Sequence, residues 1–99
     1  MDEAVITYRN IFRDQKSVAD YQAWMEAHWD LQRAWGAVDY ALWQEGEHCV
    51  CCRYTVQSID RWNRLSTGPE AEALVATLDR IVYLDRVSLK ISFPRHLPA

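Results

Sequence analysis

The sequence predicts an α+β fold with the element order β-α-β-β-α-β, on three observations. Runs rich in β-branched and aromatic residues open and close the chain, and two more lie in its middle. One long stretch, Val18 to Trp35, instead repeats its apolar residues at helical spacing. Glycine and proline fall between the periodic segments, at Gly36, Gly46 and Gly68-Pro69. With 99 residues the chain, 1–99, is expected to form a single domain with a short tail over 94–99.

Ala4 to Phe12 reads as the first strand, with Ile6, Tyr8 and Phe12 on one face and Val5 and Ile11 on the other. Apolar residues on both faces suit a central strand. Asp14, Gln15 and Lys16 make a polar connection. Ser17, with Asp20 three residues later, has the form of a capping box, so a helix should begin near Val18. Its apolar stripe holds Val18, Tyr21, Trp24, Met25, His28, Leu31 and Trp35, and Gly36 ends it in a left-handed conformation. Val38 to Trp43 is a second strand, turned at Gly46 into a third, antiparallel one over His48 to Val56. On that third strand Cys49, Cys51, Arg53 and Thr55 oppose His48, Val50, Cys52, Tyr54 and Val56.

Ser58 caps a short helical segment through Ile59, Trp62 and Leu65, whose Asp60, Arg61 and Arg64 read as the exposed face. A second helical piece starts at Pro69 and carries Leu74, Val75, Leu78 and Ile81. Val82 to Phe93 reads as the last strand, with Val87, Leu89, Ile91 and Phe93 on one face.

This order is the ferredoxin-like arrangement. Right-handed crossovers place the helices on one face of a four-stranded antiparallel sheet. The other face is then bare, and exposed apolar surface costs about 25 cal/mol per Å². A second copy is the simplest cover, so the expected state is a homodimer joined sheet to sheet. The alternative is a monomer whose second face is polar enough to stand alone.

The net charge of −3, with arginines scattered rather than clustered, argues against a nucleic-acid binder. No apolar run is long enough to span a bilayer, and Met1-Asp2-Glu3 is unlike a signal peptide; the expected location is cytoplasmic. Cys49, Cys51 and Cys52 are too crowded for a disulfide framework. A metal or redox site would use Cys49 and Cys51, with His48 as a further ligand, but zinc usually takes four ligands. Small apolar packing is therefore preferred and no metal is expected. No glycine-rich phosphate loop is present, and no cofactor is expected.

The stretch GAVDYALWQEGEHCVCCRYTVQSIDRWNRLSTGPEAEALV resembles the dimeric α/β-barrel superfamily, nearest to the antibiotic-biosynthesis-monooxygenase-like proteins. Gly36 and Tyr40 match the family's Gly-x-x-x-Tyr strand, and Ser58, Trp62, Pro69 and Val75 match its following helices. Two departures stand out. Arg53-Tyr54-Thr55 occupies the place of a frequent Glu-x-Trp, and the second helical region lacks histidine. The resemblance implies a barrel of two copies with a small-molecule ligand between helices and sheet. It further implies a cofactor-independent enzyme acting on an aromatic or polyketide-like molecule, as monooxygenase or cyclase/isomerase. The same barrel hosts unrelated reactions, so fold alone selects none.

In that setting His28 is the candidate catalytic residue, because imidazole exchanges a proton near neutral pH. Tyr8, Tyr40 and Tyr54 can orient a substrate oxygen, Trp24, Trp35 and Trp62 can stack on a ring, and Arg53 or Arg9 can hold an enolate or carboxylate. Each has a plainer reading: His28 as a core histidine with both nitrogens satisfied, the tryptophans as packing, the arginines as ion-pair members. A non-catalytic dimeric module binding a small ligand or haem, with His28 as axial ligand, is the second expectation.

Overall fold

The central strand β1 (Ala4–Ile11) is hydrogen-bonded along both edges, to β3 (Cys49–Val56) and to β4 (Ser88–Ser92). β2 (Ala37–Glu45) pairs with the far side of β3, so the four strands lie in the order β2-β3-β1-β4, every neighbour antiparallel. This computed structural model describes residues 3–93; the tail from 94, with His96, lies outside them.

Three helices follow their predicted signals. α1 (Val18–Ala34) starts at the Ser17–Asp20 capping box, where the Ser17 backbone N–H donates to the Asp20 carboxylate at 2.8 Å. It ends where Gly36 takes φ +103°, a conformation costly for any residue with a Cβ. α2 (Ile59–Ser66) is capped by Ser58, whose hydroxyl accepts from the Arg61 N–H, and α3 (Pro69–Leu78) opens on Pro69. Arg61 is more than an exposed charge. Its Nη2 donates to the Ala34 carbonyl at 2.7 Å and satisfies an end group of α1.

The core forms where the helices meet one sheet face. Ile6, Val50, Cys52, Tyr54 and Val56 pack there against Tyr21, Met25, Trp35, Trp62, Ala71 and Leu74. The antiparallel ferredoxin-like sheet thus stands as the sequence predicts.

Two expectations change. The last strand is shorter than Val82–Phe93. Val82 makes only an isolated bridge to Phe12, and a 3-10 turn occupies Leu84–Arg86 before β4 begins. Tyr83 explains the interruption: the Arg13 and Arg86 guanidinium carbons each lie 4.5 Å from its ring centroid, and its carbonyl accepts from the Arg86 N–H. The chain bends to place that ring.

The second change concerns the face away from the helices. Register assigns it Val5, Thr7, Arg9 and Ile11 from β1, Cys49, Cys51, Arg53 and Thr55 from β3, and Ser88, Lys90 and Ser92 from β4. β2 adds Asp39, Ala41, Trp43 and Glu45, so the face is mixed: it carries the expected Val5 and Ile11 together with Trp43, but among charged and polar groups. The large exposed apolar side chains instead concentrate at the β4 margin, where Val87 is 41% exposed, Leu89 54%, Ile91 37% and Phe93 40%.

Candidate functional site

Strand alternation aims Ile6, Tyr8 and Asn10 of β1 and Cys52 and Tyr54 of β3 at the helices. Above Tyr8 and Tyr54 the helices bring large aromatic rings but do not close the space. A cavity of about 360 Å³ remains, walled by Tyr8, Asn10, Tyr21, Trp24, Gln32, Trp35, Tyr54 and Trp62. Asn63, Ser66 and Thr67 of the α2 end, Leu74, Val75 and Leu78 of α3, and Leu84, Val87 and Leu89 complete the wall. None of these described lining residues is an acid, a base or a histidine.

The rings pack against one another, Tyr8 on Tyr54 and Trp35 on Trp62 edge to face and Tyr54 on Trp62 tilted. The Tyr8 and Tyr54 centroids are 5.8 Å apart, Tyr54 and Trp62 4.8 Å, and Trp35 and Trp62 5.8 Å. Their polar ends are largely occupied. Trp62 Nε1 donates to the Tyr8 hydroxyl at 3.0 Å, and Trp24 Nε1 to Thr77 Oγ1 at 2.8 Å. The Tyr54 hydroxyl donates to Gln32 Oε1, and Gln32 Nε2 donates to the His28 carbonyl at 3.2 Å. Gln32 is a buried polar residue on the inner side of α1, at only 2% exposure, and Tyr54 accounts for its presence there.

Asn10 differs from these. It is 1% exposed, and among the described residues its Nδ2 is the buried side-chain polar atom with no hydrogen bond of good geometry, although its amide lies near enough to the Tyr21 phenol to favour the ionised form of that group slightly. An unpaired buried donor costs about 1–3 kcal/mol. Asn10 lines the cavity, but Nδ2 itself exposes less than 1 Å², so a ligand's acceptor oxygen reaches it only when the amide turns toward the space.

Burial raises the Tyr21 and Tyr54 phenols well above their ordinary value, and raises Tyr8 as well, in its case partly offset by the Trp62 N–H. All three therefore act as neutral hydroxyls near neutral pH. A raised folded-state value means this stability is complete below the unfolded phenol value of about 10 and is lost as pH rises through the folded values. Alkaline unfolding should accordingly begin above pH ~10 and coincide with ionisation of Tyr8, Tyr21 and Tyr54, followed in a Tyr40→Phe/Tyr83→Phe background. Ionisation of these three well before loss of the fold would contradict their burial.

The structure brings together five of the residues singled out from sequence: Tyr8, Trp24, Trp35, Tyr54 and Trp62. Four others lie elsewhere, among them Arg9, which bonds Cys49 on the opposite sheet face. His28 is half-buried at the edge of the α1 stripe, its ring 5.2 Å from that of Trp24, and is not among the cavity-lining residues. Tyr40 is engaged by the outer part of α1, accepting from Gln22 Nε2 at 2.8 Å with its ring 4.8 Å from Trp29. Arg53 projects from the opposite sheet face, its guanidinium carbon 5.8 Å from the Trp43 ring centroid. It cannot share a cavity with Tyr54, since adjacent strand residues point to opposite sides. Asn10, Tyr21 and Gln32 join the wall instead. The strand period of Ile6 and Tyr8, extended two residues, was the available signal for Asn10.

No family model and no curated protein sequence matches the chain. Solved structures do. SnoaB, a cofactor-independent oxygenase from Streptomyces nogalater, superposes with a TM-score of 0.74 at 13% identity, over 98% of this chain and 97% of that one. Rv0793 from Mycobacterium tuberculosis gives 0.68 at 16% identity, over 98% and 97%. The hydroxynitrile lyase of Passiflora edulis gives 0.69 at 8% identity, over 99% and 98%. These likenesses span nearly the whole of each chain, and they show that it has the same α+β fold as these proteins.

Proposed function

We propose that the cavity binds a neutral aromatic or polyketide-like small molecule carrying a carbonyl oxygen, and converts it without a cofactor, as a monooxygenase or a cyclase/isomerase. The observation that carries this reading is the aromatic-walled cavity of about 360 Å³, with the Asn10 amide as a polar group of its lining. The volume and apolar lining suit a fused-ring ligand held by Trp24, Trp35, Trp62 and the tyrosines. Its carbonyl accepts from Asn10 Nδ2 once the amide has turned toward the space. When an enolisable ligand gives its α-proton to water, the charge developing on that oxygen meets a donor already in place. The resulting enolate is the shared starting point for isomerisation, for ring closure and for direct reaction with O₂. The fold likeness to a cofactor-independent oxygenase supports the last of these.

An anthrone-type tricyclic ketone tests the reading, with tryptophan fluorescence reporting binding and O₂ uptake or product absorbance reporting turnover. Saturable quenching with turnover is expected. Quenching without turnover would leave a non-catalytic binding module, and absence of quenching would reject the site. His28→Gln belongs in the same assay. Lost turnover at an unchanged melting temperature would return the imidazole to the chemistry.

The β4 margin favours a homodimer. An edge strand with unpaired backbone groups and apolar side chains invites pairing with another chain, and all five residues of β4 are exposed. Val87 and Leu89 also line the cavity, so a second copy seated there shelters its rim. The wild-type chain is expected to sediment at twice its 11.6 kDa mass, and Leu89→Lys to shift it toward one copy. A wild type that stays at one copy at high concentration would remove the dimer.

A further inference from the structure

On the sheet face opposite the cavity, the β2–β3 hairpin gathers a different chemistry. Cys49 and Cys51, two residues apart on β3, share that face, and Glu45 pairs directly with Cys49 across a short turn. One ligand atom from each residue, the two Sγ and a carboxylate oxygen, all lie within 4.8 Å of one another. We propose that Glu45, Cys49 and Cys51 form a binding site for a thiophilic divalent metal ion of the zinc class.

Geometry and charge both fit. Tetrahedral zinc with Zn–S bonds of about 2.3 Å sets its sulfurs about 3.8 Å apart. Drawing these donors in by about 1 Å, through side-chain rotation, makes three ligands of four. The fourth position is left to water or an exogenous ligand. Both thiols release their protons to solvent on binding. Two thiolates and a carboxylate carry three negative charges against two positive on the ion. Arg9 balances the remainder: its Nε donates to Cys49 Sγ at 3.0 Å and its Nη1 lies 3.6 Å from Glu45 Oε2. That N–H···S bond orients the sulfur while leaving it free to ligate.

The neighbours delimit the site. Glu45 Oε1 also accepts from Trp43 Nε1 at 3.1 Å, which fixes the carboxylate near the thiols. His48, the ligand that sequence spacing suggested, is exposed, pairs with Glu47 and takes no part. Cys52 faces the helices and is excluded by strand alternation. Both ligand cysteines are buried, at 5% and 3% exposure, whereas Glu45 is open to solvent and gives the ion its approach.

The full chain, reduced and stripped of metal, should be titrated with Co²⁺ as a coloured substitute and then with Zn²⁺. Sulfur-to-cobalt charge-transfer absorption should saturate at one ion per chain and be displaced by Zn²⁺. Cys49→Ser and Cys51→Ser should each abolish the band, Cys52→Ala should retain it, and Glu45→Gln should weaken binding at least 10-fold. No band in the wild type, a band surviving the Cys49→Ser/Cys51→Ser double variant, or unchanged affinity in Glu45→Gln would overturn the assignment. Should the serine variants fail to fold, alkylation of the wild type decides. Zn²⁺ must slow modification of Cys49 and Cys51, mapped by peptide mass, and equal rates with and without Zn²⁺ would reject the site. None of these readouts depends on the cavity binding or converting anything.

Discussion

Asn10→Leu is expected to make the protein more stable and to slow sharply the turnover proposed for its cavity. Leucine has the same branched heavy-atom shape as asparagine but carries no N–H. The wild-type amide nitrogen is buried without a hydrogen bond of good geometry, and replacing an unsatisfied donor by an apolar group of similar shape recovers the desolvation cost, about 1 kcal/mol or more. For a domain of this size that is a rise in melting temperature of roughly 4–8 °C per kcal/mol. Turnover should fall by about 10²–10³-fold, as when one oxyanion donor is removed from an enzyme. Opposite movement of stability and activity is the signature of a group retained for function. If Asn10→Leu melts lower than the wild type, the amide is satisfied in solution and the reading of the cavity loses its polar donor.

Trp62 should show the opposite pattern. It is 3% exposed, contacts Trp35 and Tyr54 through its ring, and donates to Tyr8. Trp62→Ala removes the largest ring between sheet and α2, and a cost of about 3–5 kcal/mol is expected. A domain with a total stability of roughly 5–15 kcal/mol would lose a large fraction of it. Trp62→Phe keeps much of the packing while deleting the N–H and a smaller part of the ring. The Tyr8 hydroxyl then faces the cavity without that donor, and ligand affinity should change more than melting temperature. Chemical denaturation and fluorescence titration of both variants separate packing from hydrogen bonding. Equal loss of stability in the two would show that the Trp62–Tyr8 bond, rather than the ring volume, dominates.

The parts legible in the sequence were those set by local chemistry. Ser17 with Asp20, Gly36, Ser58 and Pro69 each fix a helix end through their own backbone and cap, and each does so in the structure. Aromatic residues at strand or helix period, such as Tyr8, Tyr54 and Trp62, reach the cavity for the same reason. What failed depended on partners far along the chain. The start of the last strand was not legible, because the Tyr83 ring meets Arg13, far away in sequence, as well as its neighbour Arg86. His28 seemed central to α1, yet the inward arc continues through Met25 to Gln32, a polar residue whose burial makes sense only once Tyr54 is opposite it. Arg53 was grouped with Tyr54 despite alternation, since the face meeting the helices is decided by the sheet as a whole. Asn10 was silent for a related reason: a polar residue between apolar ones reads as solvent-facing until its strand is seen paired on both edges.

The bond from Arg61 to the Ala34 carbonyl has a mechanical meaning. Together with the Trp35–Trp62 ring contact, it rivets the trailing end of one long helix to the leading turn of the next. The roof over the chamber is therefore closed along that seam, and its more open border is the one beside Val87 and Leu89, which are 41% and 54% exposed.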